Sequence, residues 1–379
     1  MGPESMTEFG AAATPVRVAK IEWFPIRIPL PRPLQWASLR ETAADYMLLK
    51  ITTDQGLVGV VEGSAKIPWT GSSLRSLAAV FEDMFVPSLM GLDLRDEAAV
   101  MRAIRVPREQ TLAKAMIDVA CWDIRSQLAG LPLWKLWGGK QSVPVCWVIT
   151  RQAPQVMAKE AEQMVSRYGF RTLKVKGGQG VAADLEALDA IRHAVGPAVE
   201  LTVDANGHYP MAEAPAYVAR LAERNIVWVE DPCRYEPTEA FTALQAACDL
   251  PILVDGPCRD ILMAKLFLAR GAKGLSIKLG KAGGYTDNRA IIELASARHC
   301  SVNVGILAET SLGSHAALQL QAAIPPALAR LPAETTFFLT LEREYVQAPL
   351  QVVQGEVRLS DAAGMAAMID WHRVAALAP

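Results

Sequence analysis

Thr172-Leu173-Lys174-Val175-Lys176, Glu200-Leu201-Thr202-Val203-Asp204, Ile226-Val227-Trp228-Val229-Glu230, Ile252-Leu253-Val254-Asp255 and Gly274-Leu275-Ser276-Ile277-Lys278 are five short apolar runs that each close on an ionisable residue. Runs of this length, rich in Val, Ile and Leu, read as strands buried on both faces. Amphipathic stretches at 182–195, 211–224, 237–247 and 260–270 fill the gaps between them and read as helices. The same alternation extends in both directions. Upstream lie a run at 143–149 and a helical stretch at 153–168; downstream lie 285–298, 301–305 and 312–322. Seven β-then-α units in about 180 residues predict a parallel sheet. Similar strand lengths, and no Gly-x-Gly-x-x-Gly after the first strand, favour closure into a barrel over an open sheet.

The N-terminal third has a different texture. Runs at 16–27 and 46–62 read as strands, with a turn signal at Asp54-Gln55-Gly56. Helical patterns follow at 74–90, 96–105 and 111–128, and Gly138-Gly139 punctuates the end. The expected organisation is an α+β capping domain over 15–140, a (β/α)7β barrel over 141–340, and a C-terminal segment over 341–379 that returns to the cap. Residues 337–358 are expected to supply strand and irregular chain that close the barrel. Residues 1–14, small and polar with acids at Glu4 and Glu8, lack the pattern of a signal peptide and are left outside the fold.

Composition narrows the function. At 379 residues the chain is worth about 2.5 domains at ~150 residues each, enough to bury a core without disulfides or structural metal. Its 51% apolar and 21% charged residues exclude a disordered chain. A net charge of −2 removes any bulk electrostatic reason to bind nucleic acid or acidic membranes. No apolar run reaches the ~18 residues of a membrane span. Six scattered cysteines without a Cys-x-x-Cys pair point to reduced thiols and a cytoplasmic address. With five histidines in all, any chemistry must use one of few or do without.

In a parallel barrel, chemistry sits at the C-terminal ends of the strands. Lys174, Lys176, Asp204, Glu230, Asp255 and Lys278 recur at about one β/α unit each, which places them on neighbouring staves of one rim. The strand period of two sets Lys174 and Lys176 on one face. A packed interior has no use for two adjacent lysines, and three converging carboxylates repel unless a cation lies between them. An all-oxygen set suits a hard divalent ion, Mg²⁺ or Mn²⁺, rather than Zn²⁺.

Together, Lys174-Val175-Lys176, Val203-Asp204-Ala205-Asn206, Glu230-Asp231-Pro232, Val254-Asp255 and Ile277-Lys278-Leu279 with Gly283-Gly284 resemble the enolase superfamily, and within it the muconate lactonizing enzyme subgroup. The resemblance spans nearly the whole chain and implies a modified TIM barrel with an α+β cap. It implies that Asp204, Glu230 and Asp255 hold Mg²⁺, and that Lys176 and Lys278 are acid/bases on opposite faces of a carboxylate substrate. It also implies that Lys174 assists Lys176 and holds the substrate carboxylate, that Asn206 orients the site, and that Glu309 lines the pocket. In that superfamily a lysine or histidine base works with Mg²⁺ to stabilise an ene-diolate. Two opposed lysines suit racemisation or epimerisation most directly. There are departures. Gly256 follows Asp255 where much of the family carries an acid. No histidine follows the seventh strand: His299 precedes it, and His315 lies on the next helix, so both are expected to be structural.

For substrate selection the family pattern points to two flexible cap loops, 29–40 with Trp36 and 63–73 with Trp69, whose tryptophans are expected either to pack simply between the domains or to form a lid that excludes water and offers an aromatic face to the substrate. Glu334 falls near the expected eighth strand, where dipeptide epimerases carry an Asp-x-Asp pair that is absent here; Glu334 or Glu309 alone remains to pair with an amine. Gly177-Gly178-Gln179-Gly180 reads as a plain turn that has the alternative of an anion nest. The expected function is racemisation or epimerisation of an amino acid or related carboxylate, proline-like or N-substituted, by a homo-oligomer. A lyase (muconate-type cycloisomerase or hydroxyproline-type dehydratase) is the alternative, and a non-catalytic binding protein the remote one.

Overall fold

A computed structural model describes residues 14–36 and 39–379. The expected tail, apart from Thr14, lies outside the described residues. The cap opens with three antiparallel strands, β1 (Val18–Gln35), β2 (Arg40–Thr53) and β3 (Val58–Ser64), in sequential order. The turn expected at Asp54–Gly56 is present, closed by Thr53 N–H on Leu57 O at 2.9 Å and Gly56 N–H on Thr53 O at 3.0 Å. The 29–40 segment is a correction to the expectation of a loop. β1 and β2 pair through Leu34↔Glu41 and Gln35↔Arg40 after an irregularity beyond Pro29. The 63–73 segment is likewise mostly ordered as the end of β3 and a helical turn at Ile67–Thr70.

The helix Thr111–Ala129 is buried along almost its whole length because it is covered on two sides, by β3 and by the barrel helices Leu279–Ala282 and Gly284–Ser296. A helix enclosed in this way shows no polar face. Two of its buried residues are bonded across the boundary to the barrel: Asp118 accepts from Thr286 N at 3.0 Å and Thr286 Oγ1 at 2.6 Å, and Trp122 Nε1 donates to Thr286 Oγ1 at 2.9 Å.

After β4 (Ser142–Pro144), the strands β5 (Trp147–Ile149), β6 (Thr172–Lys176), β7 (Glu200–Asp204), β8 (Ile226–Glu230), β9 (Ile252–Val254), β10 (Gly274–Ile277) and β11 (Ser301–Val304) form one parallel sheet in chain order. The sheet curls until its ends meet. Ala333 N–H bonds Pro144 O at 3.0 Å, Cys146 N–H bonds Ala333 O at 2.9 Å, and Glu334 N–H bonds Val304 O at 3.0 Å. Closure therefore occurs at Ala333-Glu334, ahead of the expected 337–358, where Phe337–Thr340 forms a 3₁₀ turn. The chain then forms β12 (Val352–Val353) and β13 (Glu356–Arg358), which add to β4 as a small antiparallel sheet. It returns to the cap: Arg27 N–H bonds Leu377 O at 2.9 Å, and the Trp371 ring lies 5.4 Å from Phe24. All six cysteines are free.

Candidate active site

The parallel register sets the rim. Lys176 is level with Asp204, and Asp204 with Glu230. Lys176 Nζ lies 2.5 Å from Asp204 Oδ2. Lys278, just past β10, reaches Asp255, just past β9, with Nζ to Oδ2 at 2.6 Å. Lys174 is directed inward, 2.7 Å from both Glu230 oxygens, 2.8 Å from Glu334 Oε2 and 3.5 Å from Asp204 Oδ2. Asn206 completes Asp204: its backbone N–H donates to Oδ1 at 2.8 Å and its Nδ2 to Oδ2 at 3.0 Å.

Electrostatics follow from burial and these pairs. Burial disfavours the charge on Asp204, yet Lys176 and Lys174 outweigh it and hold the carboxyl below its usual range. For Asp255 burial is likewise overcome, by Lys278 and Lys281. Glu230 goes the other way: burial and then the charge of Asp204 raise it, against the pull of Lys174. Burial also works against the ammonium groups of Lys174 and Lys278, but their carboxylate partners raise both.

Four residues around this rim were not anticipated. Lys281 donates to Asp255 Oδ1 at 2.7 Å, Asp255 O at 2.7 Å and Ser276 O at 2.8 Å. Its signal was legible as Lys278-x-x-Lys281, one helical turn apart. Asp231 receives Tyr235 Oη at 2.5 Å, Asp255 N–H at 3.1 Å and Gly256 N–H at 2.8 Å, so the backbone at Gly256 is held by an acid from the neighbouring stave. Asn303 Nδ2 donates to Glu334 Oε1 at 3.0 Å; a lone amide inside an apolar strand was its signal. Gly305 leaves the space beside Lys278, since a Cβ there would lie 2.6 Å from Lys278 Cε.

The remaining expected residues fall outside this cluster or deep within it. Both oxygens of Glu334 are engaged, by Lys174 and Asn303, inside the barrel. Trp36 is buried among Leu34, Val148, Ile306, Ala308 and Phe337, with its ring 5.1 Å from Trp69. Its Nε1 donates to Glu41 Oε2 at 2.8 Å, and Glu41 is ion-paired with buried Lys66. Glu309 accepts the Leu307 N–H at 2.9 Å, and burial pushes its carboxyl up to about 7. His315 is buried and its imidazole is pushed down to about 4 by burial, which keeps it neutral. His299 precedes β11 at the opposite end of the strand from the rim.

Among the described residues no three His, Cys, Asp or Glu groups are gathered at metal-binding distance. Lysines instead close the rim carboxylates. The donor set nevertheless fits a hard divalent cation: Asp204, Glu230 and Asp255 offer only oxygen, stand on consecutive staves and are fully or nearly buried. Glu230 is raised first by burial and then by the charges of Asp204, Glu334 and Asp255, so the rim concentrates negative charge that a cation would relieve.

Residues 156–373 match the family model described as "Enolase C-terminal domain-like", and residues 20–138 match that of the "Mandelate racemase / muconate lactonizing enzyme, N-terminal domain". The chain belongs to the enolase superfamily. It is 30% identical to the L-Ala-D/L-Glu epimerase of Bacillus subtilis over 81% of this chain and 85% of that protein. It is 26% identical to muconate cycloisomerase 1 of Rhodococcus opacus over 95% of this chain and 98% of that one. The crystal structure of a dipeptide epimerase from Enterococcus faecalis, complexed with Mg and the dipeptide L-Leu-L-Tyr, superposes with a TM-score of 0.86 at 29% identity, covering 93% of this chain and 99% of that chain. Enolase-superfamily relatives of this chain thus include both epimerases and cycloisomerases, and the family's two domains account for residues 20–138 and 156–373.

Proposed function

We propose that this enzyme removes the proton α to the carboxylate of a small amino acid or related acid, proline-like or N-substituted, and returns it on the opposite face. The observation that carries the reading is the order Lys176–Asp204–Glu230–Asp255–Lys278 across five consecutive staves, β6 to β10, with an ammonium at each end and three carboxylates between. Lysines at the two ends address a substrate from two sides, one taking a proton and the other giving one. Asp204, Glu230 and Asp255 are the residues that would hold Mg²⁺ or Mn²⁺. When bound, the ion supplies positive charge to the ene-diolate.

The chain's own residues do the rest. Glu230 and Glu334 hold Lys174 as an ammonium, a fixed positive charge for the substrate carboxylate. Asn303 fixes Glu334, and Asn206 fixes Asp204. Trp36 and Trp69 form an aromatic wall where the cap meets the barrel; with Glu309 they are the residues we assign to substrate selection. The active species is a homo-oligomer in this reading.

A second reading has its own support. The muconate cycloisomerase match covers 95% of this chain against 81% for the epimerase match, so a lyase-type reaction, with one lysine transferring the proton and the other assisting with charge, is the alternative. A panel of D- and L-amino acids, N-acyl and N-methyl derivatives, hydroxyprolines and muconates, incubated with Mg²⁺ in deuterium oxide and followed by NMR and polarimetry, decides. Racemisation gives α-deuteration and loss of rotation; a lyase gives a new alkene, imine or lactone. Exchange that persists after chelation of all divalent ions would count against the metal.

A further inference from the structure

Beside the Lys176 end of the rim, three loops border an open, solvent-facing cavity of about 520 Å³. Arg151, from the loop after β5, Asn206 and His208, from the loop after β7, and Arg234, from the loop after β8, line it. No carboxylate lines it, and neither arginine makes an ion pair among the described residues. Two guanidinium groups facing one small space without a counter-ion are unusual in a chain of net charge −2. They create a local field that favours an anion.

The walls are built rather than incidental. Arg151 Nε is anchored on Gly177 O at 2.7 Å, which leaves the guanidinium's outer N–H groups for a ligand. A Cβ at Gly178 would lie 2.5 Å from Arg151 Nη2 and 2.9 Å from His208 Cβ, so that glycine is required for the arginine to lie where it does. The loop after β7 is fastened to the loop after β8 by Gly207 N–H on Asp231 O at 2.7 Å and by bridges from His208 and Tyr209 to Cys233. Tyr209 Oη donates to Asp184 Oδ2 at 2.5 Å, and Asp184 also receives the N–H groups of Gly178 and Gln179 at 2.7 and 3.0 Å. The loop that reads as a plain turn in sequence therefore does not line the cavity itself but backs two residues that do, Arg151 and His208. Fixed loops carrying arginines bind planar oxyanions without a large ordering cost, and the volume lies in the range of small-molecule sites.

The geometry points to an anion subsite at Arg151, His208 and Arg234 that takes a carboxylate or similar small oxyanion. Asn206 links it to the reaction proposed above, on which this inference rests. Asn206 lines the cavity, and its Nδ2 donates to Asp204 Oδ2, the same oxygen that Lys176 holds. A substrate with its α-carbon at Lys176 and a second carboxylate in its tail would place that tail here. A separate small anion is the other source of the same chemistry.

Calorimetric titration of the full-length protein with glutarate and with inorganic phosphate at low ionic strength tests the site without turnover. Wild type is expected to bind at least one probe, and Arg234→Gln and Arg151→Gln to bind it at least tenfold more weakly, with unchanged circular dichroism. Binding of neither probe by wild type, or equal binding by all three proteins, would overturn the subsite. The source follows from a second arm, the ratio of kcat/KM for an N-acyl amino acid ending in a carboxylate over its methyl-ended isostere. A roughly tenfold fall of that ratio in Arg234→Gln places the substrate's own tail in the cavity. An unchanged ratio with weakened glutarate binding places a separate anion there. No turnover of either acid would overturn the reaction reading alone and leave the titration to decide the subsite.

Discussion

Gly305 makes the room that Lys278 occupies: a Cβ built on it would lie 2.6 Å from Lys278 Cε and 2.5 Å from Ser276 Oγ. The contact joins β11 to the end of β10, whose register is held by Gly305 N–H on Ile277 O at 2.8 Å. It ties the position of one proposed acid/base to the smallest residue on the next stave.

Gly305→Ala is therefore expected to displace Lys278 and spare Lys176. Misplacement of a catalytic group by about 1 Å costs roughly 10²-fold in rate, and overpacking costs about 1–3 kcal/mol of stability. Stereochemically resolved α-deuterium exchange should slow by that factor for the enantiomer served by Lys278 and only a few-fold for the other. Equal slowing of both would contradict the assignment.

The Glu41–Lys66 pair is expected to hold the two cap tryptophans in place. Both residues are buried, Glu41 also accepts from Trp36 Nε1, and the Lys66 ammonium lies 5.3 Å from the Trp69 ring centre. Removing one partner leaves an uncompensated buried charge, so Lys66→Met should cost about 3–5 kcal/mol. The double variant Glu41→Gln with Lys66→Met should recover part of that loss. Urea denaturation of the four proteins measures the coupling, and additive losses would mean the pair is not a unit.

Much of this arrangement was readable and some was not, for physical reasons. The strands β6, β7 and β8 fall on their expected residues because each is a largely buried apolar run ended by a charged residue at the rim. The rim lysines and carboxylates shared that signal. Barrel closure at Ala333-Glu334 was misplaced because it consists of a few backbone bonds rather than an apolar run. The 29–40 segment read as a loop because Pro29, Pro31 and Pro33 suggest one, whereas an edge strand tolerates proline. The Glu41–Lys66 pair had no local signature, since it forms only when the cap strands are side by side. Asp231 was obscured by Asp231-Pro232, which reads as a turn.

Asp123 gives a pH-dependence with a definite sign. It is buried in the helix Thr111–Ala129, accepts the Val60 N–H at 3.0 Å, and makes no ion pair among the described residues. Burial pushes its carboxyl up to about 8, against about 3.9 in an unfolded chain. Between those values the native state keeps a proton that the unfolded state has released. Its contribution to stability is therefore intact below about pH 4 and is lost as pH rises to about 8. The stability advantage of Asp123→Asn over wild type should grow by about 4 kcal/mol between pH 5 and pH 8.5. A constant difference across that range, measured by urea unfolding, would contradict the burial argument.

The central claim is that Lys176 and Lys278 act on opposite faces of one α-carbon. The direct measurement is α-proton exchange in deuterium oxide, resolved for each enantiomer, in Lys176→Ala and Lys278→Ala with Mg²⁺ present. Each variant should abolish racemisation, and each should retain exchange of one enantiomer only, the opposite one in the two proteins. Racemisation surviving in either variant, or loss of exchange of the same enantiomer in both, would contradict it.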